Sequence, residues 1–196
     1  SLARSLSPQR RQKLEPVLHQ HLPIFHSSHC LYARYLSKGN SYQDCGHVCE
    51  RHKIHLQDEN GQDHLVLADL GCRNTVFNAQ AQSGADTLAA WLEEGISRYR
   101  IEFVDENEKS VRNVLGAYSH LFEAKGRAPE PLWSLLSGVE DSNGHAQGAS
   151  VGSLRSEKER KAGKGRKMTG QRRSHKVVVR RGSDAKAPAR KKAKSR

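Results

Sequence analysis

The sequence predicts an α/β protein, and three segments carry that reading. Arg98 to Val104 alternates, with Tyr99, Ile101 and Phe103 on one face, as a half-buried strand does. Val111, Val114, Leu115, Tyr118, Leu121 and Phe122 recur at helical spacing, a stripe that should stop near Gly126. Leu88, Trp91 and Leu92 share one face of an earlier helix, with Ser83 placed to cap it and Gly95 to end it. Strand and helix thus alternate in the rhythm of a parallel α/β sheet or barrel. About two such units are visible, and fewer than eight cannot close a βα barrel, so the expected fold is one part of a larger assembly.

The earlier elements follow from the same patterns. Residues 8–21 are expected to form a short polar helix, because Leu14, Val17 and Leu18 fall at helical spacing while Pro16 limits its start. Leu22 to Phe25 is a short apolar run suited to a buried strand. His29 to Ser37, with Leu31, Tyr32, Tyr35 and Leu36, reads as one or two helical turns before Gly39. Lys53 to Gln57 alternates, with Ile54 and Leu56 on one face. Asn60-Gly61 then signals a tight turn, and His64 to Leu67 returns as the second arm of a hairpin.

Charge divides the 196 residues. The chain has 33 Lys or Arg and 21 Asp or Glu, of which residues 151–196 hold 18 and 3. That segment is net +15, and residues 1–150, with 15 basic and 18 acidic residues, are net −3. Beyond Val177, Val178 and Val179 it has few large apolar groups, too few to offset the entropy of ordering its backbone. The expected organisation is a folded domain over residues 1–130, a linker over 131–150 and a disordered basic tail over 151–196. Clustered Lys and Arg favour phosphate contacts, so nucleic acid, RNA or DNA, is the expected partner of the tail, without sequence specificity because stacking aromatics are missing from it. The other reading is a solvated extension with no specific partner. No membrane partner is expected.

All four cysteines, Cys30, Cys45, Cys49 and Cys72, fall in one stretch. Two disulfides or four thiolates around a metal both fit such a cluster. The same stretch carries His26, His29, His47, His52, His55 and His64 and many charges, unlike a small disulfide-stapled secreted scaffold. No apolar run of seven to fifteen residues precedes the cysteines, so a cytoplasmic setting is expected. Composition therefore favours a metal centre. Thiolates suit zinc and iron–sulfur clusters alike, and the Cys45-x-x-x-Cys49 spacing is compatible with either.

Four ordered motifs then narrow the choice. They are Pro23-Ile24-Phe25-His26-Ser27-Ser28-His29-Cys30, Leu36-Ser37-Lys38-Gly39, Asp44-Cys45-Gly46-His47-Val48-Cys49-Glu50, and Ala68 through Asn78 with its Gly71-Cys72-Arg73-Asn74 centre. Together they resemble the C-terminal half of the collagenase-like peptidases of family U-32, over roughly residues 8 to 107. The resemblance implies the C-terminal part of a (β/α) barrel-like domain with a cysteine-rich insertion, completed by a missing N-terminal half or a partner chain. It also implies a 4Fe–4S cluster on Cys30, Cys45, Cys49 and Cys72, with zinc as the lesser alternative. Some branches of that family hydroxylate RNA bases or a quinone precursor. One departure concerns the ligand set: relatives carry a further cysteine where this chain has Ala33 or Ser37, so Cys49 would serve as the fourth ligand.

A peptidase would need an activated nucleophile or a metal with an open water position. No Gly-x-Ser-x-Gly elbow and no His-Glu-x-x-His helix occurs. His26 and His29 flank Cys30 and are the candidate catalytic histidines. Arg73 and Asn74 follow Cys72 and are candidates for holding an anionic substrate, since Arg forms bidentate bonds to carboxylate or phosphate. The competing assignment gives Arg73 an ion pair and Asn74 a turn cap. Arg100 and Glu102 read as an ordinary salt-bridged pair. The expected function is iron–sulfur-dependent modification of RNA, with a peptidase or a non-catalytic truncated family member as alternatives.

Overall fold

A computed structural model describes residues 2–142, 144–154 and 176–180, and in it a mixed α/β chain forms two sheets and six α-helices. It opens with two single-turn helices, α1 (Leu2–Ser5) and α2 (Pro8–Arg11), and the helix expected over 8–21 goes no further. Pro16 has no amide hydrogen to continue a helical ladder, and the chain beyond it extends as β1 (Val17–Gln20), burying Leu18 and His19.

The strand expected over Leu22 to Phe25 forms as β2 (Pro23–Ser27), but it is not buried. It lies at a sheet edge with Ile24 and Phe25 about half exposed, at 51% and 47%. Helix α3 (Leu31–Leu36) follows. The hairpin expected from alternation forms at the expected place, as β3 (Lys53–Gln57) and β4 (Asp63–Ala68), paired antiparallel with Leu56 opposite His64. Next comes β5 (Asn74–Phe77), antiparallel to both β4 and β2.

Strand β6 (Ala81–Ser83) precedes a 3-10 turn and α4 (Leu88–Glu93). Ser83 is the last residue of that strand rather than a helix cap, and its Oγ accepts the Ala85 amide of the 3-10 turn at 3.2 Å. Gly95, left-handed at φ 82°, ends the α4 segment. Only Arg100–Ile101 of the expected 98–104 strand pairs, as β7, although Tyr99, Ile101 and Phe103 all pack on the core. The long helix α5 (Glu108–Glu123) is capped by Asn107, whose side chain accepts the Ser110 amide at 2.9 Å.

Residues 131–150, read from the sequence as a linker, belong to the fold. They hold most of α6 (Glu130–Ser137), which buries Leu132 and Leu136, and β8 (Ala149–Ser150), which pairs with β6. From the basic tail, Lys176–Arg180 forms β9 antiparallel to β3. The expectation of disorder over 155–175 and 181–196 lies outside the described residues.

The sheet orders are β7-β1-β6-β8 and β2-β5-β4-β3-β9. The parallel pairing expected from the strand–helix rhythm occurs at β1–β7 and β6–β8, whereas every pair of the five-stranded sheet is antiparallel. Among the described residues no closed βα ring is formed. Helices α4, α5 and α6 cover the smaller sheet through Leu18, Leu88, Val114, Tyr118, Leu121 and Leu136. A second core of Tyr32, Ile54, Leu56, Val66 and Val76 joins α3 to one face of the larger sheet. Among the described residues no helix is long and apolar enough to cross a membrane.

Candidate functional site

The second core supports two of the four cysteines. Ile54 and Leu56 point to one side of β3, where Cys30 and Cys49 pack against the same apolar cluster. Cys30 caps α3, and its Sγ accepts the Ala33 amide at 3.4 Å. Tyr32, two residues on, donates its hydroxyl to the Val66 carbonyl at 2.6 Å and fixes α3 on the sheet. Burial, together with the neighbouring Cys49 and Cys30, pushes the Tyr32 phenol up to about 12.

Cys45 and Cys49 sit on a tight knuckle. The Asp44 carboxylate accepts the Asn40 and Ser41 amides at 2.9 and 2.7 Å, and these bonds hold its pKa below the ordinary value. Gly39 packs flat against this loop: a Cβ there would collide with the Asp44 carbonyl and lie 2.7 Å from the Cys45 amide nitrogen. Gly46 and His47 are both left-handed, at φ 67° and 50°, before a 3-10 turn brings Cys49 back to the core. Burial raises the Cys49 thiol pKa, and the charges of Cys30 and Cys45 raise it further.

Cys72 lies on the turn between β4 and β5. The pairing of β2 with β5 sets Ser27 opposite Asn74, so the chain leading to Cys30 and the chain leaving Cys72 share one end of the sheet. Gly71 and Cys72 are left-handed at φ 77° and 59°, a conformation that costs a residue with a Cβ about 1–2 kcal/mol. Asn74 is fully buried. Its Oδ1 accepts the Leu31 amide at 2.5 Å and its Nδ2 donates to the Arg73 carbonyl at 2.9 Å, so both polar ends serve the backbone.

The remaining candidates lie at the surface. Arg73 reaches back along its own turn to the Asp69 carboxylate at 3.5 Å and the Leu70 carbonyl at 3.3 Å. His26 is exposed and shares a 2.9 Å hydrogen bond with the Thr75 hydroxyl across the β2–β5 pair. His29 is exposed too, and its backbone is held by the Ser27 hydroxyl. Arg100 does pair with Glu102, at 3.1 Å, and also with Glu15.

All four cysteines are free thiols, which leaves them open to metal ligation. Among the described residues no three of their sulfurs lie within 4.8 Å of one another. One tetrahedral zinc with bonds of about 2.3 Å would need sulfurs roughly 3.8 Å apart.

Sequence reasoning missed a second polar site on the opposite face of β3. A cavity of about 50 Å³ between the sheets is lined by His19, His21, His55, Asp105, Glu106 and Asp141, among others. His55 is 1% exposed and follows the strand's alternation away from Ile54 and Leu56. Lys53, on the same face, contacts Asp105 and the Ser142 hydroxyl. Burial, aided by the neighbouring His21, lowers the His19 pKa to about 4. Burial also opposes charge on His21, but hydrogen bonds to Glu106 and the Asn78 carbonyl outweigh it and raise its pKa. Glu106 falls to about 2: burial works against its charge, and the His21 bond and charge more than offset that.

Comparison of the chain with protein-family models, with curated proteins and with solved structures gave no match.

Proposed function

We propose that Cys30, Cys45, Cys49 and Cys72 hold a 4Fe–4S cluster and that the protein modifies RNA bases by hydroxylation, as a member of family U-32. The observation that supports this reading is the packing of Cys30 and Cys49 on one apolar core, with the Cys72 turn at the same end of the sheet. The motif resemblance and the +15 tail supply the rest. When bound, such a cluster supplies one-electron chemistry at a potential tuned by burial and by hydrogen bonds to its sulfurs. The protein's own contributions are the Ala33 amide on the Cys30 sulfur and the Tyr32, Ile54 and Val66 surface against which Cys30 and Cys49 pack.

Asn74 positions the site rather than binding substrate, because both of its polar atoms are spent on backbone groups. Arg73 is exposed beside the same turn and is the side chain left to meet a phosphate or carboxylate, in exchange for its weak pair with Asp69. A barrel completed by a partner chain, or by sequence outside these 196 residues, belongs to the same proposal, as does a cytoplasmic location. The test is nucleoside mass spectrometry of RNA from cells with and without the gene. A hydroxylated nucleoside should disappear with the gene and fail to return with a Cys72→Ser copy. An unchanged nucleoside profile would remove the RNA reading.

A further inference from the structure

We infer that the cavity between the two sheets is a separate metal site, in which His55, Asp105 and Asp141 bind one first-row divalent cation with water completing its coordination. One ligand atom from each of the three lies within 4.8 Å of the other two. An octahedral ion with bonds of about 2.1 Å sets its ligand atoms roughly 3 to 4.2 Å apart, so small side-chain rotations close the site.

The cavity has room for an ion and for the few waters needed beyond three protein ligands. Five carboxylates line the cavity, with Lys53 against Asp105 and His21 against Glu106, and such a lining suits a cation better than an anion.

Donor type narrows the metal. One imidazole nitrogen with two carboxylate oxygens suits Mn²⁺, Fe²⁺ or Zn²⁺ better than the all-oxygen preference of Ca²⁺ and Mg²⁺. The ligands come from β3, from the loop after β7 and from the loop after α6, so the ion would fasten the two sheets across their interface. Outer groups already orient the carboxylates. The Ser142 hydroxyl donates to Asp105 Oδ2 at 2.8 Å, and the His145 amide donates to Asp141 Oδ1 at 3.0 Å. Lys53 is the resident competitor, because its ammonium holds the other Asp105 oxygen.

The test is titration of the full chain with Mn²⁺, followed by electron paramagnetic resonance, since Mn²⁺ binds thiolates poorly. The expected result is one Mn²⁺ per chain with nitrogen coupling from a single imidazole. Asp141→Asn and His55→Gln should each weaken binding by roughly tenfold or more, and Cys72→Ser should leave it unchanged. Lys53→Met, which removes the competing ammonium, should tighten it. Circular dichroism confirms that each variant is folded. Failure of the unmodified chain to bind Mn²⁺ at a 1:1 ratio overturns the inference without reference to any variant. So does binding that survives both ligand substitutions, or a Lys53→Met protein that binds no more tightly.

Discussion

Asn74 Oδ1 accepts the Leu31 amide at 2.5 Å, which fastens the strand after Cys72 to the first turn of the helix that Cys30 caps. Asn74→Ala leaves that amide without its acceptor in a buried setting, a loss of about 1–3 kcal/mol. Asn74→Asp keeps the acceptor and should lose less. Chemical denaturation of the three proteins checks the order, and equal stability of Asn74→Ala and the parent would contradict it.

Two glycine substitutions should move in opposite directions. Gly39→Ala drives a methyl group into the Asp44–Cys45 backbone, so the knuckle must shift and metal loading should fall. Gly116 lies inside α5 with nothing within 4 Å of the place a Cβ would take, so Gly116→Ala should stabilise by about 0.5–1 kcal/mol. Thermal midpoints and metal content measured together separate the two effects.

Acid should destabilise the fold through His19. Its folded pKa is about 4 against an ordinary 6.5, so below 6.5 the unfolded chain takes a proton that the folded chain refuses. Stability is therefore lost as pH falls from 6.5 to 4, by about 3 kcal/mol at most. Glu106, depressed from 4.5 to about 2, adds a loss in the same direction below 4.5. His21, with its raised pKa, acts oppositely: its contribution is present below 6.5 and fades as pH rises through its folded pKa. Urea unfolding at pH 6.5 and 4 should show a smaller loss in His19→Gln than in the parent. An identical loss would mean that burial of His19 does not govern the acid response.

The tail prediction is shaped by β9. Because Lys176–Arg180 pairs with β3, cutting the chain after Arg180 removes seven basic residues and one acidic residue while leaving that strand in place. RNA binding measured at two salt concentrations should weaken on truncation, with a shallower salt dependence, as expected when phosphate contacts are lost. Unchanged affinity and slope would show that residues 181–196 are not a nucleic-acid arm.

The β3–β4 hairpin and α5 were legible in the sequence because each carries a complete local signal. Lys53 to Gln57 alternates cleanly, and the apolar stripe from Val111 to Phe122 is long enough to fix its face. Residues 17–20 were not legible, since Val17 and Leu18 fit both periods and Pro16 settled the matter. Nor was the burial of β2, because an apolar run does not reveal whether a second layer covers it. The four cysteines drew attention as residue types. The cavity did not, because His55, Asp105 and Asp141 come from distant segments that only the folded chain brings together. Its one local trace was His55, set by alternation on the opposite face from Ile54 and Leu56.

The most direct test of the cysteine centre is iron and acid-labile sulfide analysis of protein purified without oxygen. About four of each per chain are expected for a 4Fe–4S cluster. Cys72→Ser should lose loading more completely than Cys49→Ser, because Cys72 lies in the longest motif and, on the proposed family reading, Cys49 stands in for a ligand placed elsewhere. Protein that carries zinc without sulfide, or no metal at all, would contradict the account.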